Sequence, residues 1–488
     1  MAIINTRKVL LLELNEITRT VIDPMLAAGK LPHFARLLRE GASGAPMALE
    51  RYPHLDPWVT WVTLHTGVER HVHGAAVLEQ EQSTIGAPCT WDHAVAAGKS
   101  VGVFGSIGSF PPRPVPGFMV PGPFAPSDQT FPAYLSPIQA LNRSHTRAHN
   151  KVEGESSLAT IIKQGADLFR FGLRPQTCAR IVRQLLSERL QPHLRWRRPS
   201  LQPLANYDFF AHLYRKFRPD YATWHTNHAA HYMHHYWRAH DDRGFLTPST
   251  PDERKKFGTA VEHGYRLCDE LIGRFLTLVG PDTVLVVASS MGQKPYVKQD
   301  FPEGRFIVRF RDIHRILEIV GARGVSEVVA VMAPQFRVTI RDQGERSRVA
   351  DLCRRAVRRG PGTAGGAMSV IEVGDLLTIT PTGLDADRDT AQLRCHFDGA
   401  PDARSDGHAF EELFVIDAPT PKQGMHDPRG LLILHGPGIR PGLELGDVTP
   451  LDIAPTILAL LGVPQPSAMT GRVLREAWDS SRSVPAAA

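Results

Sequence analysis

Residues 9–42 read VLLLELNEITRTVIDPMLAAGKLPHFARLLREGA. The apolar run Val9–Leu12 is too short for a signal sequence or a membrane span and has the length of a buried strand. The polar pair Asn15 and Glu16 follows directly, and apolar residues then recur at helical spacing in IDPMLAAGKLPHFARLLREGA, which predicts a helix. The same alternation recurs down the chain. SVGVF at Ser100–Phe104 follows the helix-like WDHAVAAGK, and Asp220–His225 follows ANYDFFAHLYRKF. VLVVA at Val284–Ala288 follows a helical stretch near Phe257–Val279, and LLILH at Leu431–His435 precedes Leu451–Leu461. Strands buried on both faces and joined by helices imply a mostly parallel sheet covered by helices, with its chemistry at the carboxyl ends of the strands.

The chain has 488 residues, 42% of them hydrophobic and 22% charged, with a net charge of +6. These values describe an ordinary globular protein large enough for an α/β core with insertions. The segments read as core at 1–150, a basic helical insertion at 151–204, core at 205–311, a small α+β cap at 312–413, core at 414–475 and a flexible tail at 476–488. The cap carries the strands FRVTI and VIEV, a helix SRVADLCRRAV and a glycine-rich loop GPGTAGG. The run GSIGSFPPRPVPGFMVPGPFAP is dense in proline and glycine and reads as a surface loop. The basic run Arg195–Arg198 reads as a solvated face, since no nucleic-acid motif accompanies it. Five scattered cysteines without a CxxC pair argue against a disulfide framework or a thiolate metal site. A cytoplasmic location and a small-molecule substrate, with no nucleic-acid partner and no transmembrane segment, are the expectations that follow.

The chemistry-bearing stretch is WHTNHAAHYMHHYW at Trp224–Trp237. Asn227, His231 and His234 share one helix face, His228, His231 and His235 an overlapping one, so His231 is the first choice as a ligand.

The stretch at 9–42 and the motifs WVTWVTLHTGVERHVHG, PVPGFMVPGPFAPSDQTFP, HGPGIRPG and LDIAPTILALLGVPQPSAMTGRVL, in that order, resemble the type I phosphodiesterase/nucleotide pyrophosphatase branch of the alkaline phosphatase superfamily. The resemblance implies an alkaline phosphatase-like α/β sandwich, two zinc ions and transfer of phosphoryl or sulfuryl groups by a Thr or Ser nucleophile. Residue by residue, the chain departs from this pattern. The first aspartate of an Asp-Gly pair falls on Asn15, with Glu16 in the place of the glycine. The nucleophile position, nine residues before Thr66, is Pro57. The Asp-x-x-x-His element falls on Asn227 and His231, the Ser-Asp-His-Gly element on Ser289, Ser290, Met291 and Gly292, and the last histidine on His426. One implied zinc site thus has Asn15, Pro57, Ser290 and Met291 for ligands, none of them an anion or imidazole. The other keeps His231 and His426.

Three readings are open at this level. In the first, one divalent metal (zinc, manganese or iron) is held by His231 and His426 with Asn227, Asp427 or Glu16, in a hydrolase or transferase acting on a phosphate-, sulfate- or sugar-containing small molecule. Asp56 and Glu16 would act as base or nucleophile and His65 or His228 as proton donor, with Asn15, Trp58, His73, Ser290 and Gln293 lining the substrate. In the second, Glu16 and Asp56 with histidines perform metal-free acid/base chemistry. In the third, the fold survives as a binding or assembly module.

Overall fold

The computed structural model describes residues 7–478 except 53, 79, 149–167, 298–304, 331–333, 362, 386–388 and 417–421. Part of the expected insertion, 151–167, lies outside the described residues. The centre is an eight-stranded sheet in the order Leu443–Glu444, Ala42–Gly44, Leu431–His435, Thr283–Ser289, Lys8–Leu14, Tyr221–Thr226, Val101–Phe104, Gly117–Val120. The last five are mutually parallel, whereas Leu431–His435 runs antiparallel to both of its neighbours.

The strand Lys8–Leu14 is buried from Val9 onward because both of its faces are covered. Leu10, Leu12 and Leu14 enter one core with Phe104, Phe210, Trp224 and Phe275. Val9 and Leu11 enter the other with Trp61, Trp91, Ile453 and Leu458. Residues from Val308 to Phe414 build a third, separate core. It underlies two four-stranded antiparallel sheets and the helices Ile313–Ile319 and Gln343–Arg355.

Three local expectations change. The helix expected from Ile22 to Ala42 is two helices, Arg19–Ala27 and Pro32–Glu40. Gly29, in the left-handed region at φ 67°, ends the first, and Pro32 opens the second, where its missing N–H costs nothing. The proline-rich run after Phe104 contains the edge strand Gly117–Val120, whose Phe118, Met119 and Val120 are fully buried. Prolines flank it without interrupting the ladder, as an edge position tolerates. The glycine-rich segment of the cap is not a loop but half of a hairpin, Val357–Gly360 against Thr363–Gly366.

The basic run is also more than a solvated face. Trp196 is buried against Tyr232 and His263, and Arg198 forms a two-pronged pair with Glu188.

The helix Pro32–Glu40 has no side-chain cap of its own. Asp269, from the helix Ala260–Leu278, provides one: its Oδ1 accepts from the backbone N–H of His33 (2.9 Å) and Phe34 (2.8 Å), and its Oδ2 lies 2.8 Å from His33 Nδ1. Asp269→Ala should therefore cost roughly 1–3 kcal/mol in a urea titration, the range for orphaning buried donors at a helix start.

Candidate active site at the strand carboxyl ends

Three adjacent parallel strands end side by side, Thr283–Ser289, Lys8–Leu14 and Tyr221–Thr226, and each delivers polar residues to one place. The first strand is followed by Asn15 and Glu16. Glu16 has φ 58°, the left-handed conformation that glycine adopts freely and that costs another residue roughly 1 kcal/mol or more. A carboxylate thus stands where the resembling family carries glycine, on backbone of a glycine-like shape. It does not cap the following helix, whose capping side chain is Thr18.

The carboxylate is buried and its two oxygens are treated differently. Oε1 accepts from Asn15 Nδ2 at 3.0 Å. Oε2 accepts from Gln293 Nε2 at 2.5 Å and lies 3.2 Å from His234 Nε2 and 3.6 Å from His426 Nε2. His234 projects from the helix His228–His240, and His426 from the strand Gly424–Asp427, which pairs with Gly292–Pro295 so that His426 sits opposite Gln293. Both imidazoles are tethered in the same way. His234 Nδ1 donates to the Gly424 carbonyl at 3.0 Å, and His426 Nδ1 donates to the Leu55 carbonyl at 2.7 Å. Each ring is left with Nε2 turned toward Glu16. Glu16, His234 and His426 form the one group of three potential metal ligands with mutually close donor atoms among the described residues.

Burial alone would raise the Glu16 carboxyl, but the charges of His426, His234 and Lys422 bring it down to about 2. Burial, with Lys422 nearby, lowers the His234 imidazole below its ordinary value, against the pull of Glu16. An ionised carboxylate beside a neutral imidazole is the protonation state that metal ligation requires.

Asp56 occupies the N-cap position of the helix Pro57–Thr66 but makes no capping bond there. Its Oδ1 faces His426 Nδ1 at 3.3 Å instead, on the side of the ring away from Glu16.

The other residues expected in the site make other contacts. His231 lies beside His235, with ring centroids 4.6 Å apart and planes tilted at 47°, and is not in the Glu16 group. Asn227 Oδ1 accepts from Asn15 Nδ2 at 2.7 Å, so its carbonyl oxygen is committed to an amide. Asp427 accepts from the Arg429 N–H and lies near Lys294. His228 is buried, its Nδ1 on Thr226 Oγ1 and its Nε2 on the Gly264 carbonyl, and so has no free nitrogen for a substrate. His65 is fully enclosed beside Glu13, between Trp61 and Trp91. His73 is fully buried and bonds Thr63, which in turn donates to Glu50. Trp58 donates to the Ala76 carbonyl, and Ser290 pairs with Thr60 in the core. Sequence reasoning put His231 ahead of His234 although both share the Asn227 face. Glu16, already among the expected ligands, stands one residue after the position where the resembling family has its first aspartate, with a side chain one methylene longer.

Among the described residues, no helix is long and apolar enough to cross a membrane. A search of curated proteins found no match. Among solved structures, human ectonucleotide pyrophosphatase/phosphodiesterase 5 is similar at 10% identity and a TM-score of 0.41, over 97% of this chain and 100% of that one. The murine protein of that name matches at 12% identity and a TM-score of 0.40 over the same shares, as does an inactive variant of it in complex with AMP. The family model for type I phosphodiesterase / nucleotide pyrophosphatase matches residues 9–363. That span takes in the strand ends at Leu14, Thr226 and Ser289, and the chain belongs to this family of phosphodiesterase- and pyrophosphatase-type hydrolases.

Proposed function

We propose that the chain is a hydrolase or transferase for a phosphate-, sulfate- or sugar-containing small molecule, working with a single divalent metal held by Glu16, His234 and His426. The observation that carries this reading is the matched tethering of the two imidazoles. Each spends Nδ1 on a backbone carbonyl and turns Nε2 to the same carboxylate oxygen, the arrangement by which outer partners orient metal-ligating histidines. Two imidazoles and one carboxylate suit zinc, manganese or iron. The two-zinc arrangement of the resembling family does not fit, because Asn15, Pro57, Ser290 and Met291 supply no anionic or imidazole donor.

A divalent ion supplies Lewis-acid polarisation of a substrate oxygen when bound. The chain's own residues do the rest. Asp56, whose Oδ1 faces the His426 ring, is placed to accept a proton from the attacking group. Lys422, whose charge acts on both Glu16 and Asp56, offsets their negative charge so that an anionic substrate can approach.

Elemental mass spectrometry on protein purified without added metal or a histidine tag tests the reading. Near-stoichiometric metal is expected in the native chain and in His231→Ala, and loss of it in Glu16→Ala, His234→Ala and His426→Ala. No metal in the native chain, and none taken up on titration with zinc, manganese or iron, would overturn it. Ester hydrolysis persisting in metal-free protein would instead favour acid/base chemistry by the string Glu16–His426–Asp56, whose contacts are 3.6 and 3.3 Å.

A further inference from the structure

We propose that Trp61 is a positioning residue that aims the Glu16 carboxylate, acting through Asn15. The inference deepens the metal reading above and rests on it for one of its two readouts.

Trp61 is fully buried in the helix Pro57–Thr66, one turn past the position where the family keeps its nucleophile. Its indole nitrogen donates to Asn15 Oδ1 at 2.7 Å. An indole N–H can only donate, so the Asn15 amide must turn its oxygen to Trp61 and its nitrogen the other way. That nitrogen then has two hydrogens and two acceptors, Glu16 Oε1 at 3.0 Å and Asn227 Oδ1 at 2.7 Å. Reversed, the amide would set its oxygen against both of those oxygens and its NH2 against the indole N–H. All four groups would lose their bonds together, so the orientation is all or none. With Oε1 held, Oε2 is the oxygen that Glu16 presents to His234 and His426.

The indole is itself fixed from two sides. His65 lies against its face, with centroids 5.8 Å apart and planes at 25°, and His225 meets it edge-on at 5.4 Å. Both imidazoles face the buried Glu13, at 3.6 Å for His65 and 3.1 Å for His225. Residues with no contact to the ligand group thereby determine which oxygen that group receives.

Trp61→Phe keeps an aromatic ring and removes the N–H. Zinc titration calorimetry should find affinity reduced about 10- to 100-fold, the usual effect of removing an outer partner of a metal ligand. Asn15→Ala should lose a similar factor, and the double variant should be no weaker than Asn15→Ala alone, since both changes break one chain of contacts. Native affinity in Trp61→Phe, or losses that multiply in the double variant, would overturn the proposal. Should Trp61→Phe not fold, Trp61→benzothienylalanine retains the bicyclic shape without the N–H. If the native chain binds no metal, the metal reading fails separately, and crystal structures of native and Trp61-substituted protein decide the positioning. Asn15 and Glu16 side chains turned in the variant would support it; side chains in place would overturn it.

Discussion

Acidification from pH 7 to about pH 4.5 should remove about 5 kcal/mol of folding stability, through two buried histidines that lie outside the ligand group. Burial, reinforced by the positive charges of Arg70 and His71, lowers His73 to about 4. Burial likewise lowers His228 to about 4, against the pull of the Gly264 carbonyl. An unfolded histidine titrates near 6.5, so between about pH 6.5 and 4 the unfolded chain binds more protons than the folded one. Stability from these rings is thus full above about pH 6.5 and is lost as the pH falls toward 4. A tenfold difference in proton affinity is worth about 1.4 kcal/mol, which gives roughly 2.5 kcal/mol per ring over the interval from pH 7 to 4.5. Set against a typical stability of about 5–15 kcal/mol, the sum suffices to bring acid unfolding into the range of about pH 4–5. Urea titrations at several pH values measure it. A flat profile between pH 6.5 and 4 would mean that both rings protonate in place at no cost.

Glu13→Leu is the second large effect, with an expected loss of about 3–5 kcal/mol, the range for removing one partner of a buried ionic set. Glu13 is fully buried in the strand Lys8–Leu14. Its Oε1 accepts from Ser106 Oγ at 2.7 Å and lies 3.6 Å from His65 Nε2, while Oε2 lies 3.1 Å from His225 Nδ1. Burial would raise this carboxyl, but the charge of His65 and the hydrogen bond and charge of His225 bring it down to about 2. Neither ring nitrogen of His65 has a hydrogen bond with acceptable geometry, so the carboxylate is what its imidazole has. Leucine in place of Glu13 strands both rings in an apolar core. Replacing Glu13, His65 and His225 together with apolar residues should recover most of the loss, because the cost lies in a partner left behind. Guanidinium denaturation of the single and triple variants separates the two terms. Equal losses in both would show that packing, not pairing, is at stake.

The sheet was legible because its central strands are continuous apolar runs, a pattern that needs no knowledge of neighbours. Gly117–Val120 was not, since its prolines carry a loop signal that only an edge position neutralises. The division of the first helical stretch was written in Gly29 and Pro32, but helical periodicity runs across both and hides the break. In the site, Glu16 and His426 follow from the strand ends and from the motif order. The choice between His231 and His234 does not, because one helix face carries both. His234 meets Glu16 because of where the strand Gly424–Asp427 docks: Gln423 N–H bonds the His234 carbonyl at 2.6 Å and the Gly424 carbonyl receives its ring. Such a contact between segments nearly 200 residues apart leaves no local trace. The burial of His65, His73 and His228 was hidden for the same reason, since a histidine near a motif reads alike whether it faces a cleft or a core.

The ligand group also has a birth order. Glu16 and His234 leave the ribosome long before His426, and the whole segment with its own core, Val308–Phe414, is made in between. At synthesis rates of about 5–20 residues per second, His234 waits roughly 10–40 seconds for His426 and Glu16 about twice as long. No two of the three are neighbours along the chain, so the proposed group comes into being only when the fold brings its members together.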